Sequence, residues 1–143
     1  MNKQRQVNRW RQPAMAWGCA LIMVMILFAM QTITPFGNHN LLIGDLGSQY
    51  TAFFTGVVQA IRSHTWTIYN FQQALGTSWV PTIAYYLMSP FNLLLFLFRT
   101  SQFPVAISLI IMLKIATIVG SMTLYLQEHV KTVPNTHLRA HET

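Results

Sequence analysis

From residue 14 to residue 33 no side chain carries a charge, and the same holds from residue 79 to residue 98. A third apolar run, residues 103–126, contains one charge, Lys114. A hydrocarbon core about 30 Å thick takes roughly 20 apolar residues in helical form to cross. Inside it every backbone N–H and C=O must be satisfied within the protein, which leaves helices or closed barrels. Uninterrupted runs of this length predict helices. Three of them in 143 residues leave no room for a separate soluble domain. Only 8% of the residues are charged, against about a quarter in soluble domains. The expected fold class is therefore an all-α integral membrane protein with three transmembrane helices.

The formal net charge of +6 does not indicate nucleic acid. Lys3, Arg5, Arg9 and Arg11 crowd the first eleven residues, where the positive-inside rule accounts for them. They form no basic patch interleaved with aromatics on a soluble face. Residues 1–13 are thus expected to be cytoplasmic and residues 14–33 to form a first span ending at Thr34-Pro35. The run exceeds a signal-peptide core, and no small-residue cleavage site follows it, so the segment is read as retained. Cys19 is the single cysteine, which excludes an intrachain disulfide; it reads as a packed membrane cysteine.

Residues 34–78 form an extracytoplasmic loop in this reading. Within it Leu46, Tyr50, Phe53, Phe54, Val57, Val58 and Ile61 recur at gaps that gather them on one helical face. Ser48, Gln49, Thr51, Thr55, Gln59 and Arg62 fall opposite. An amphipathic helix over residues 46–62 follows, lying on the membrane surface or packed on the spans. Residues 65–76, with Trp66, Tyr69, Phe71, Gln72 and Gln73, read as irregular chain or a short second surface helix.

Residues 79–98 have the length of a second span but carry Ser89-Pro90 and Asn92 in the middle. Proline there removes a backbone donor and blocks a carbonyl one turn back, so the span is expected to be broken or re-entrant, with Asn92 turned inward. Pro104 suits the first turn of the third span. Ala116 and Gly120 lie in a small-xxx-small spacing that suits close helix contact. The polar tail, residues 127–143, reads as disordered. With three crossings Lys3, Arg5, Arg9, Arg11 and Arg99 are inside, and Arg62, Lys131 and Arg139 outside. With a re-entrant second segment six basic residues are inside and two, Arg62 and Arg99, outside. The charge rule favours the second arrangement and segment length the first; a crossing is the expectation taken.

Asp45 is the only acidic residue before Glu128. Just ahead of an amphipathic helix, Asp is a favoured N-cap; in an outer loop of a membrane protein it is also a candidate general base. Residue pattern leaves both roles open. Lys114, a charge at membrane depth, points to function by default. His39 precedes Asp45 by six residues, without a second His or Cys spaced to complete a metal site.

Asp45, Leu46, Gln49 and Tyr50 are followed by Phe53-Phe54 and by Leu75-Gly76. Then come Tyr85-Tyr86, Ser89-Pro90, Asn92-Leu93-Leu94 and Leu113-Lys114-Ile115. In this order and spacing, over residues 14–126, the chain resembles the start of a YfhO-family protein. The tail from Gln127 does not look like the family's continuation. The resemblance implies a bacterial multi-span membrane enzyme of the GT-C glycosyltransferase type. Such an enzyme moves a sugar from a polyprenyl-phosphate carrier to a cell-envelope polymer, such as a teichoic acid, on the outer face of the cytoplasmic membrane. It gives Asp45 the role of base, Gln49 and Tyr50 that of orienting substrate, and Arg62 or Lys114 that of meeting the departing phosphate. It leaves room for a divalent metal. Implied partners are membrane lipid, the lipid-linked sugar and the remaining spans of the enzyme, encoded downstream. Family members carry many further spans, so the present chain is expected to be an N-terminal part, inactive by itself. Two other function classes fit the residues: a small three-span partner of a larger membrane complex, and a transporter or channel subunit suggested by the broken segment and Lys114.

Overall fold

A computed structural model describes residues 3–71 and 75–130; side chains are described for these except residues 3–8 and Tyr86. Gln72, Gln73 and the tail beyond Val130 lie outside the described residues. The described chain is mostly helical, with a single two-stranded pairing. Its contacts divide it into two units, one from Met1–Ile22 with Ile115–Thr143 and one from Met23–Lys114.

Helix α1 spans Lys3–Met30 and α4 spans Phe103–His129. Arg9–Met30 and Thr100–His129 are long and apolar enough to cross a membrane. The helix therefore begins within the basic segment, ahead of the apolar run. It stops where Thr32 takes φ +49. There Ile33 N–H reaches the Phe28 carbonyl and Thr32 N–H that of Ala29, the crossed pair of a left-handed C-terminal cap. At its other end α4 begins at Phe103 with Pro104 in its first turn, where the missing N–H costs nothing.

In the first unit α1 and α4 run antiparallel. Arg9 pairs with Glu128, Gln127 donates to Gln12, and Trp17 Nε1 donates to Thr117 Oγ1 at 3.3 Å. Numbers rise along α1 as they fall along α4. Ala116 is fully buried, and a Cβ on Gly120 would stand 3.1 Å from Trp17 Cβ. The small-residue spacing is therefore the contact face that the sequence suggests. Most of the rest of α1 is exposed, including Ile22, Ile26 and Met30, as suits a helix turned to lipid. Cys19 belongs to this exposed surface and is not packed.

The second unit is built on the amphipathic helix. A π turn, Leu46–Tyr50, leads into α2, Thr51–Arg62. Phe54 and Val58 join Leu95 and the first turns of α4 (Phe103, Ala106, Ile107, Ile110) in one apolar core, with Leu46 and Tyr50 packed at its edge. Of the stripe read from sequence, Phe53 is half-buried outside this core and Ile61, at the helix end, is 42% exposed. The helix thus packs on α4.

Residues 65–78 contain no second surface helix among the described residues. They hold a hairpin in which β1, Tyr69–Asn70, pairs antiparallel with β2, Thr77–Ser78. Ser78 Oγ then accepts from Val80 N–H and caps α3, Trp79–Thr82.

The second apolar segment is not one straight helix. Trp79–Tyr85 and Pro90–Leu97 are bent by 109°. The α-turn passes into a π turn, Ile83–Leu87, and Pro90 opens a 3-10 helix, Pro90–Leu97. Proline has no N–H to continue the first helix. Asn92 Nδ2 instead donates to the Leu87 carbonyl at 3.2 Å, so the inward turn expected of Asn92 serves the break. A second short 3-10 turn, Thr100–Gln102, leads into α4.

Candidate functional site

The loop ahead of α2 is fixed by two glycines. Gly44 sits at φ +57, a conformation that side chains with a Cβ rarely adopt. Gly47 lies so close to the chain that a Cβ would stand 2.5 Å from the Leu42 carbonyl oxygen. The Gly44 carbonyl accepts from Gly47 N–H, from Ser48 N–H and from Ser48 Oγ. Asp45 is held between these glycines with its side chain exposed.

Asp45 does not cap the helix. Its backbone is already helical, at φ −62 and ψ −29, and its carboxylate accepts no helix N–H. A capping side chain folds back over the first turn from an extended backbone, and the turn at Gly44 has taken that place. The carboxylate accepts from Gln49 Nε2 at 3.3 Å. This pair joins two of the residues singled out from sequence, and the acid remains open to solvent.

Behind the same turn lies a cavity of about 100 Å³ lined by Leu46, Tyr50, Asn92, Ile107, Ile110 and Lys114, among others. Tyr50 and Lys114, 64 positions apart by their numbers, therefore share one wall. Lys114 is half-buried on α4. Asn92 completes the polar side of the cavity. Its signal in the sequence is a lone carboxamide, two residues after proline, in an otherwise apolar run.

Arg62 does not come to this site. It follows Asp45 by 17 positions, about 25 Å along a helix at 1.5 Å per residue. Its Nη2 donates to the carbonyls of Phe96 and Phe98 at 2.9 and 2.8 Å, at the end of the 3-10 helix where carbonyls lack internal donors.

His39 is likewise engaged elsewhere, with Nδ1 at 2.9 Å from Thr32 Oγ1 and 3.2 Å from the Gln31 carbonyl. Among the described residues no three of His, Cys, Asp and Glu stand together as a metal-binding group.

The arrangement thus offers an exposed carboxylate steered by an amide, next to a small cavity with one phenol, one carboxamide and one ammonium group. Comparison with curated proteins and with solved structures gives no match. The family model described as bacterial membrane protein YfhO matches residues 17–138. The match extends past Gln127, so the polar tail belongs to the family pattern as far as residue 138, contrary to the reading from sequence. The chain belongs to the YfhO family of bacterial membrane proteins.

Proposed function

We propose that the chain takes part in glycosyl transfer of the GT-C type on the outer face of the bacterial cytoplasmic membrane. The donor is a polyprenyl-phosphate sugar and the acceptor a hydroxyl of a cell-envelope polymer, such as a teichoic acid. The observation that carries this reading is the placement of Asp45: exposed, uncapped and steered by Gln49. Membership of the family supports it independently.

In this reaction the acceptor O–H gives its proton to the Asp45 carboxylate as its oxygen attacks the anomeric carbon. The bond from that carbon to the phosphate oxygen breaks, and its electron pair leaves with the phosphate. Gln49 keeps the carboxylate turned toward the acceptor. Negative charge grows on the leaving group, and a cation fixed nearby lowers the barrier. Lys114 is the candidate for that part and Tyr50 lines its cavity; Arg62, engaged with two carbonyls, is not.

We infer that α1 enters from the cytoplasm, so that Asp45 lies outside. The basic residues ahead of the first apolar run support this.

The test is sugar transfer from a synthetic polyprenyl-phosphate sugar to the envelope polymer. It compares membranes carrying this chain, this chain with the further spans of a longer YfhO-family protein, and both with Asp45→Asn. Transfer that depends on the chain and is lost with Asp45→Asn supports the proposal. Full transfer with Asp45→Asn in normally accumulated protein overturns it.

A further inference from the structure

We propose that a second cavity, between α2 and the β-hairpin, binds a neutral saccharide. Its volume is about 370 Å³, within the range of roughly 300–1,000 Å³ usual for small-molecule sites. No charged residue lines it among the described residues, so an anionic or cationic ligand would leave water without a counter-charge. What it offers instead is a ring of hydroxyls and carboxamides: Gln59, Ser63, Thr65, Thr67 and Asn70. The carboxamides can both donate and accept, and the Ser63 and Thr67 oxygens, whose protons go to backbone carbonyls, are left to accept from a ligand's hydroxyls.

The hydroxyls are pre-oriented. Ser63 Oγ donates to the Gln59 carbonyl at 2.7 Å and lies 2.7 Å from Thr65 Oγ1, and Thr67 Oγ1 donates to the Tyr69 carbonyl at 2.5 Å. Hydroxyls fixed in advance lose little freedom when a ligand arrives.

Aromatic rings supply the other requirement, a flat apolar face for the C–H side of a sugar ring. Trp79, 5% exposed and stacked on Trp66 at 5.6 Å, forms the back wall, and the open ring faces are those of Tyr69 and Phe71. Tyr69 and Phe71 line it too and meet edge to face at 4.8 Å. Two glycines build this platform. A Cβ on Gly56 would stand 3.0 Å from the Trp79 ring, and one on Gly76, at φ +98, would stand 2.8 Å from Tyr69 Oη. By contrast, the cavity on the apolar side of α2, about 320 Å³ and lined by Val57, Ile61, Trp66 and Leu93, has Asn92 as its one polar side chain. The polar and aromatic pairing is particular to the hairpin side.

The assignment rests on this lining and not on transfer at Asp45. The full chain, purified in lipid nanodiscs, is titrated with glucose, N-acetylglucosamine and inorganic phosphate while saturation-transfer NMR follows binding. At least one of the sugars should bind saturably and phosphate should not. Gln59→Ala and Thr67→Val should each weaken sugar binding roughly fivefold with the helical circular dichroism unchanged, and Asp45→Asn should bind as the parent does. Absence of saturable binding by both sugars, equal binding of phosphate, or binding indifferent to both Gln59→Ala and Thr67→Val overturns the assignment. So does sugar binding that disappears with Asp45→Asn.

Discussion

Arg62 holds the backbone carbonyl of Phe98 at 2.8 Å. One residue ends the amphipathic helix and the other follows the 3-10 helix of the second apolar segment, so the far end of that segment lies against the end of α2. A crossing would set them about 30 Å apart. The antiparallel pairing of Arg9 with Glu128 agrees, since two crossings return the chain to its starting side. Re-entry also places six basic residues with the N-terminus and leaves Arg62 and Arg99 opposite. In a Cys19→Ala background, cysteines at Ser63 and Ser101 should therefore both react with an impermeant maleimide on intact cells. Labelling from opposite sides would return the segment to a crossing.

The Asp45 carboxylate accepts from Gln49 and from no helix N–H. Asp45→Asn keeps an oxygen for Gln49, and Asp45→Ala loses no cap. Both should stay within about 0.5 kcal/mol of the parent in stability, by thermal unfolding in detergent, where loss of a cap would cost about 1 kcal/mol. Transfer should fall roughly 100- to 10,000-fold in each. A variant that loses stability while keeping its turnover would make Asp45 a structural residue.

Lys114 is half-buried beside Tyr50 and Asn92. If it meets the departing phosphate, Lys114→Met removes the positive charge while keeping most of the apolar stem. Turnover should drop by roughly 100-fold with unfolding temperature maintained or raised, because a partly desolvated charge is removed. Equal turnover in parent and Lys114→Met would leave Lys114 without a part in the chemistry.

Gly120 faces Trp17 with no space for a larger side chain. Gly120→Leu should force α1 from α4 and cost about 1–3 kcal/mol, read as a lower unfolding temperature and faster proteolysis. Gly120→Ala, whose Cβ would lie 3.1 Å from Trp17 Cβ, should cost less. A fully stable Gly120→Leu would separate the small-residue spacing from helix contact.

Periodicity carried what was legible. Leu46, Tyr50, Phe54, Val57 and Val58 announce their face by spacing, and they are the residues buried or packed at the core. Ala116 and Gly120 likewise read correctly, because close approach demands small side chains at that interval. Features without a period did not declare themselves. A two-residue strand is too short to alternate, so the hairpin at Tyr69 and Ser78 has no pattern to read. Cys19 stands alone on an exposed face of α1, and the sequence has no mark for that side. Asp45 looked like a cap because caps precede helices; the left-handed turn at Gly44 begins the helical geometry one residue early. Arg62 looked like a free cation because the carbonyls that occupy it belong to a segment 34 positions away.

The π turn at Leu46–Tyr50 has a consequence for how this stretch tolerates change in length. Such a turn holds one residue more than an α-helical turn. Excision of Ser48 would let the helix heal into regular form without breaking the chain. Because the wider turn and an α-helical turn both close about one revolution, everything ahead of Thr51 would nearly keep its bearing about the helix axis. Leu46 would stay at the cavity wall and Asp45 would hold its heading, while Phe54 and Val58 kept their places on α4. The wide turn thus works as slack: it takes up a residue gained or lost without turning the acid away from the stripe that anchors the helix.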